Sequence, residues 1–344
     1  MKKIFLIGLT AAAMLASCSN DETVEMAQQK AISFSNAFVN NGTRSIVDPS
    51  FTTTSLNDFA VYGFTQNGQI FDGVKVSKGG AASTGWSYDN VQYWVPGNTY
   101  TFGAIAPHSV AGNVSNVTLP TGATKVEMEV AFTNKDADQV DLLHAAPTQI
   151  TGVTASYTNP VGMTFNHQLS KVKFSFENAV GAGYNVRVKD VKITDAYAKG
   201  TLTVAAAGNN WSNQTDKTLE LNFGNVVADA SSTESSVIAN AATLESYNEK
   251  LMIPMGSSAI YTVTFTAELY KGGVLLGTYN HTVEIKNVEF KLGYCYNFKA
   301  SLTHKNITGP DELNPIKFNV TSVENWNQTE SNKDLNVPTT HSGI

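Results

Sequence analysis

Short runs in which apolar and polar residues alternate, each cut off by Gly, Asn, Asp or Pro, recur along nearly the whole chain. A period of two puts every second side chain on one face of a strand, and no helix can use that spacing to build an apolar face. The first half carries such runs at 59–64, 91–94, 100–105 and 125–130. The second half carries them at 171–176, 185–193, 219–223, 261–269, 279–285, 296–302 and 316–320. Gln66-Asn67-Gly68, Pro96-Gly97-Asn98 and Lys271-Gly272-Gly273 supply turn signals between them. No segment shows a convincing helical period, although 141–146 could close one helical turn. Many short strands punctuated by turns predict an all-β chain of stacked sandwiches.

Composition agrees with that reading. Only 15% of residues are charged, and Thr, Ser, Asn and Gly are abundant, which suits strands with neutral polar outer faces. A net charge of −6 disfavours nucleic acid or an anionic membrane as a partner. Two cysteines, Cys18 and Cys295, leave no disulfide framework if the first is used elsewhere, and the alternating context of Cys295 predicts a buried thiol. The chain is long enough for two domains, and the polar stretch 148–160 predicts the division, giving sandwiches at 45–157 and 158–326 and a polar tail at 327–344.

The N-terminus fixes the route of export. Lys2 and Lys3 precede a mostly apolar run at 4–15, too short to span a bilayer, so 1–17 reads as a signal peptide. Its ending, Leu15-Ala16-Ser17-Cys18, resembles the bacterial lipobox, which makes Cys18 the expected lipidation site and the new N-terminus. Several acyl chains on one thiol, at about 0.8 kcal/mol per buried methylene, anchor durably. Ser19 at the next position is not the inner-membrane retention residue, and Asp21-Glu22 resembles the surface-export signal of Bacteroidetes lipoproteins. Residues 18–44 then form a tether and a first strand, in which Ile32, Phe34 and Phe38 share one face at period two. A polar, Gly/Asn-rich loop with Arg44 and Ser45 follows; Arg187 is the only other arginine and lies within an expected strand.

The residues able to carry chemistry form no catalytic motif. Asp136, Asp138 and Asp141 crowd three carboxylates, but a calcium loop counted from Asn134 or Asp136 lacks the Gly and Glu it needs at its sixth and twelfth positions. The six histidines have no ligand spacing, and His167, just before a strand, reads as a hydrogen-bonded structural residue. No phosphate loop, dinucleotide fingerprint or nucleophile elbow occurs, so no enzyme, cofactor or metal is expected. Trp86, Tyr88, Tyr93 and Trp94 could form a sugar platform, though their strand-like spacing favours packing.

Taken along the chain, the lipobox, the early strand before Thr43-Arg44, Trp86-Ser87-Tyr88 with Tyr93-Trp94, and Tyr100-Thr101-Phe102 form a series. It continues through Gln139-Val140-Asp141-Leu142-Leu143, His167-Gln168-Leu169-Ser170, Leu251-Met252-Ile253-Pro254 and Val323-Glu324-Asn325-Trp326. This pattern resembles the fimbrillins (Mfa-like proteins), subunits of type V pili in Bacteroidales. The resemblance implies two tandem transthyretin-like β-sandwich domains and a structural pilin exported as a lipoprotein to the outer membrane surface. It further implies that an arginine-specific or trypsin-like protease cuts after the first strand, here between Arg44 and Ser45. The vacated groove then accepts a strand from another pilin subunit, building a fimbria that contributes to adhesion to a host or bacterial surface ligand. Ile32, Phe34 and Phe38 would be the removable plugs, and Ile316, Phe318 and Val320 a candidate donor strand. The alternative reading is a monomeric outer-membrane lipoprotein that binds glycans through exposed aromatics.

Overall fold

A computed structural model describes residues 30–39, 56–79, 85–229, 231–246, 248–310 and 314–325. Among these residues nine strands precede the middle of the chain: β1 (Phe34–Val39), β2 (Asp58–Thr65), β3 (Gly68–Lys78), β4 (Trp86–Ser87), β5 (Tyr100–Ala106), β6 (Val114–Thr118), β7 (Glu127–Thr133), β8 (Leu143–Ala145) and β9 (Val161–His167). Eleven follow: β10 (Ser170–Asn178), β11 (Tyr184–Ala196), β12 (Lys199–Val204), β13 (Asn210–Thr215), β14 (Leu219–Gly224), β15 (Thr243–Glu245), β16 (Lys250–Met252), β17 (Tyr261–Lys271), β18 (Val274–Ile285), β19 (Tyr294–Leu302) and β20 (Phe318–Asn325). A short α-helix, α1 (His304–Thr308), joins the last two. The turn expected at Lys271-Gly272-Gly273 closes β17 on β18, with φ of 55° and 83° at the glycines, the left-handed pair that a two-residue hairpin needs.

The strands build two sandwiches in tandem. In the first, a seven-stranded sheet ordered β1-β9-β8-β5-β2-β3-β4 faces a four-stranded sheet ordered β13-β12-β7-β6. In the second, β15-β10-β19-β20, with β16 also on β10, faces β14-β11-β17-β18. Each has its own core. Phe174, Phe176, Val188, Phe223, Phe265 and Phe298 lie in that of the second. The seven-stranded sheet is buried on both faces, because successive residues of β2 point into different cores: Phe59 and Val61 to one, Ala60 and Tyr62 to the other.

Two expectations need adjusting. Residues 141–146 form no helical turn: 143–145 are strand β8, held between β5 and β9. The division expected at 157/158 falls just before β9, which pairs with β8 and β1 in the first sheet. The chain changes sandwiches at Gln168-Leu169 and then returns, as the β12–β13 hairpin pairs with β7 along Lys199 to Val204. Without that hairpin β7 would present an unpaired edge, so backbone hydrogen bonding, not local polarity, decides where the units meet.

The motif at the crossing is now intelligible. His167 Nδ1 lies 2.8 Å from Asp141, and the indole of Trp211 donates to the Gln168 carbonyl at 2.7 Å. Asn209 donates to the Gln168 side chain at 2.8 Å, and Ser170 donates to the Lys291 carbonyl at 2.8 Å. His167, Gln168 and Ser170 are themselves buried, and each finds a hydrogen-bond partner distant in sequence, as buried polar groups require.

Candidate functional site

The site is built around the segment that enters the first sandwich from the N-terminus. Residues 30–32 run antiparallel to 92–94: Ile32 N donates to Gln92 O at 2.8 Å, and Trp94 N donates to Lys30 O at 2.9 Å. One residue later the segment changes partners. Val161 N donates to Ser33 O at 2.7 Å, and β1 continues parallel to β9. The segment therefore ties the β9 edge of the seven-stranded sheet to the stretch following β4 at its other edge, and it acts as a closing stave.

Its side chains fill the space enclosed. Ile32 is 1% and Phe34 4% exposed. The Phe34 ring sits among Phe59, Phe71, Tyr88 and Phe102, with centroids 5.9, 5.8, 5.6 and 6.1 Å away and edge-to-face geometry throughout. That arrangement suits the ring quadrupoles, which favour edge-on over face-on contacts. Tyr88 closes the site from above by donating its hydroxyl to the Ile32 carbonyl at 2.7 Å. Burial, and to a lesser degree nearby Tyr93, raises the Tyr88 pKa, against a lowering by the Gln92 backbone hydrogen bond.

The stave is held firmly by its side chains and lightly by its backbone. Its pairing with β9 is parallel and interrupted, with register shifting between Ser35 and Phe38. Phe34 pairs with Val161, a buried residue, whereas Phe38 pairs with Thr164, an exposed one. One extra residue in β1 causes this, so the alternation read from Ile32 through Phe34 to Phe38 does not run unbroken along the strand.

Cys18, Arg44, Ser45 and the tail after Trp326 lie outside the described residues. Ile316 is 3% exposed and belongs to the core of the second sandwich, while Phe318 packs against it with its ring 5.1 Å from Phe174. Phe318 and Val320 lie on β20, which pairs antiparallel with β19 and ends its sheet. The structure thus brings Ile32 and Phe34 together at one site and places the candidate donor residues in a different core. Sequence reasoning passed over Phe59, Phe71 and Phe102 as groove residues, because nothing local distinguishes a groove phenylalanine from any other core phenylalanine.

The other candidates have structural partners. Asp136 pairs with Lys250 at 2.8 Å, and Arg187 donates to the Ser235 carbonyl at 2.8 Å. Among the described residues no three His, Cys, Asp or Glu are grouped to hold a metal ion, and no helix is long and apolar enough to cross a membrane. Of the four aromatics between 86 and 94, Tyr93 is exposed, while Trp94 is buried and Trp86 packs 5.1 Å from Phe59.

Comparison with known proteins follows the same lines. The fimbrillin-like family model matches residues 43–326. A fimbrial protein from Bacteroides vulgatus ATCC 8482 aligns over 86% of this chain and 99% of its own, with a TM-score of 0.57 at 14% identity. A Parabacteroides distasonis ATCC 8503 protein provisionally named for cell adhesion aligns over 87% of this chain and 99% of its own, with a TM-score of 0.50 at 10% identity. At such identities the likeness is one of fold. No curated protein matches the sequence. The family match spans most of the chain and the architecture agrees with it, and on those grounds the chain belongs to the fimbrillin-like family.

Proposed function

We propose that the chain is a structural pilin subunit, exported as a lipoprotein on Cys18 and polymerised on the outer membrane surface by strand exchange. One observation carries this reading. The groove of the first sandwich is filled by Ile32 and Phe34, which sit on a light edge segment preceding Arg44 and lying outside the 43–326 family match. Cutting between Arg44 and Ser45 would free that segment from the body it seals. An apolar groove flanked by unpaired strand edges then binds any chain that supplies both hydrogen bonds and side chains.

The incoming strand comes from a neighbouring subunit. Ile316, Phe318 and Val320 have the alternation a donor requires, but in the isolated chain Ile316 and Phe318 serve their own core. Donation by this segment therefore requires β20 to leave β19, and the tail beyond Trp326 is the competing source. The mature subunit comprises both sandwiches. Its partners are other pilin subunits, a trypsin-like or arginine-specific protease, and a surface ligand met through the assembled fimbria.

Brief trypsin treatment of the purified precursor tests the reading. Mass spectrometry should find an early cut after Arg44, and electron microscopy should find oligomers. Arg44→Ala should remain monomeric; equal polymerisation by that variant removes Arg44 from the mechanism. Cys18→Ala should leave the precursor unattached to membranes, and continued attachment would rule out lipidation there. Glycan binding by the monomer, with no polymer after proteolysis, would favour the receptor alternative.

A further inference from the structure

The five-stranded sheet of the second sandwich buries polar side chains on the face turned away from its core. Val172, Phe174 and Phe176 of β10 point inward, so Lys173 and Ser175 point to the opposite face, yet these two are only 5% and 1% exposed. Lys173 stands directly beside Asn297 in the parallel register of β10 and β19, and register partners in a parallel pair project from the same face. Asn297 is 6% exposed. On the other side of β10, Glu245 at the end of β15 places one carboxylate oxygen 2.5 Å from Lys173 Nζ. Its second oxygen reaches across the strand to accept from Asn297 Nδ2 at 3.3 Å. Ser175 Oγ donates to Asn297 Oδ1 at 2.7 Å.

These four side chains differ from an ordinary ion pair. An amine, a carboxamide, a carboxylate touching both of their nitrogens, and a hydroxyl on the amide oxygen are the parts of an acyl-transfer site. We infer that Lys173 and Asn297 form an intramolecular isopeptide bond, with Glu245 moving the proton and Ser175 polarising the carbonyl. In the step, Glu245 takes a proton from the Lys173 ammonium and the freed Nζ attacks Cγ of Asn297. The carbonyl electrons move onto Oδ1, where the Ser175 hydroxyl stabilises the developing charge. Collapse breaks the Cγ–Nδ2 bond, with the Glu245 proton delivered to the departing nitrogen and a second proton coming from the attacking Nζ. The products are a secondary amide, which keeps the third Lys173 proton as its N–H, and one ammonium ion, so the chain is lighter by one ammonia and Glu245 ends ionised as it began. No oxidant, metal or second substrate enters the balance.

The cross-link would join two adjacent parallel strands far apart in sequence, at the centre of the sheet that β20 borders. A covalent tie between β10 and β19 suits a subunit that must hold its fold while a neighbour pulls on an edge strand.

Mass spectrometry of the full chain, compared with the mass of its own sequence between its observed termini, tests this directly. The expected result is a deficit of one ammonia and a branched proteolytic peptide joining Lys173 to Asn297. Lys173→Ala and Glu245→Gln should both restore the full mass. A wild-type chain at full mass overturns the proposal. So does a deficit that persists in Lys173→Ala, since a succinimide at Asn297 also loses ammonia without any lysine. The branched peptide is read on the unaltered chain, so neither variant has to fold for the result to count.

Discussion

Truncating Phe34 to alanine is the sharpest test of how the first sandwich is sealed. The side chain is 4% exposed and touches four aromatic rings at 5.6 to 6.1 Å. Phe→Ala in a core costs about 3–5 kcal/mol, and each lost edge-to-face pair adds roughly 0.5–1.5 kcal/mol beyond burial, which favours the upper end. Because the segment meets its neighbours through few backbone bonds, the loss should fall on its own opening rather than on global unfolding. At about 1.4 kcal/mol per decade, the opened fraction should rise roughly a hundredfold to a few thousandfold, toward the larger figure. Native-state hydrogen exchange on the uncleaved chain reads this at the amides of Ile32, Trp94 and Val161, which donate across the seal at 2.8, 2.9 and 2.7 Å. Those amides should exchange faster by that factor, while amides of β17 and β18 keep their rates. Unchanged exchange at the three positions, or an equal rise throughout the second sandwich, would refute the idea of a separately detachable stave.

Other outcomes follow from individual contacts. Tyr88→Phe removes the hydroxyl that donates to the Ile32 carbonyl at 2.7 Å, and should destabilise the same local opening by about 1–3 kcal/mol, read in the same exchange experiment. Gly63→Ala would put a methyl 2.9 Å from the Phe71 ring and 3.0 Å from that of Phe102, so denaturant unfolding should show a loss of about 1–3 kcal/mol through overpacking. Burial, and then Lys125, push the pKa of His144 down to about 4 from 6.5. Between those values the unfolded chain binds the proton that the folded chain refuses, so stability rises with pH. The contribution is complete above pH 6.5 and disappears as pH falls to about 4; it amounts to about 3 kcal/mol. Urea unfolding at both pH values should show that wild type loses more than His144→Gln by about this amount, and equal losses would dismiss the histidine as the cause.

How far the sequence reached depends on the range of the interaction concerned. Period-two alternation is a local property of the backbone, so the all-β class and most of the strands were legible, including β10, β11 and β17. The hairpin glycines at 272 and 273 were legible for the same reason, since only the local φ matters. The burial of Ile32 and Phe34 follows from apolarity and phase alone. The slip before Phe38 was not legible, because a bulge is fixed by the partner strand.

The amino-acid order by itself determined that this chain builds sheets, that its first strand carries apolar residues to bury, and that a polar stretch holding Arg44 follows it. Only the tertiary structure decided what lies opposite. It set Phe59, Phe71 and Phe102 around Phe34, brought the β12–β13 hairpin back onto β7, and placed Lys173, Glu245 and Asn297 within reach of one another. Alternation states which face of a strand is apolar but not which strand it will meet, and partners in a sheet are chosen by contacts formed between segments distant in sequence.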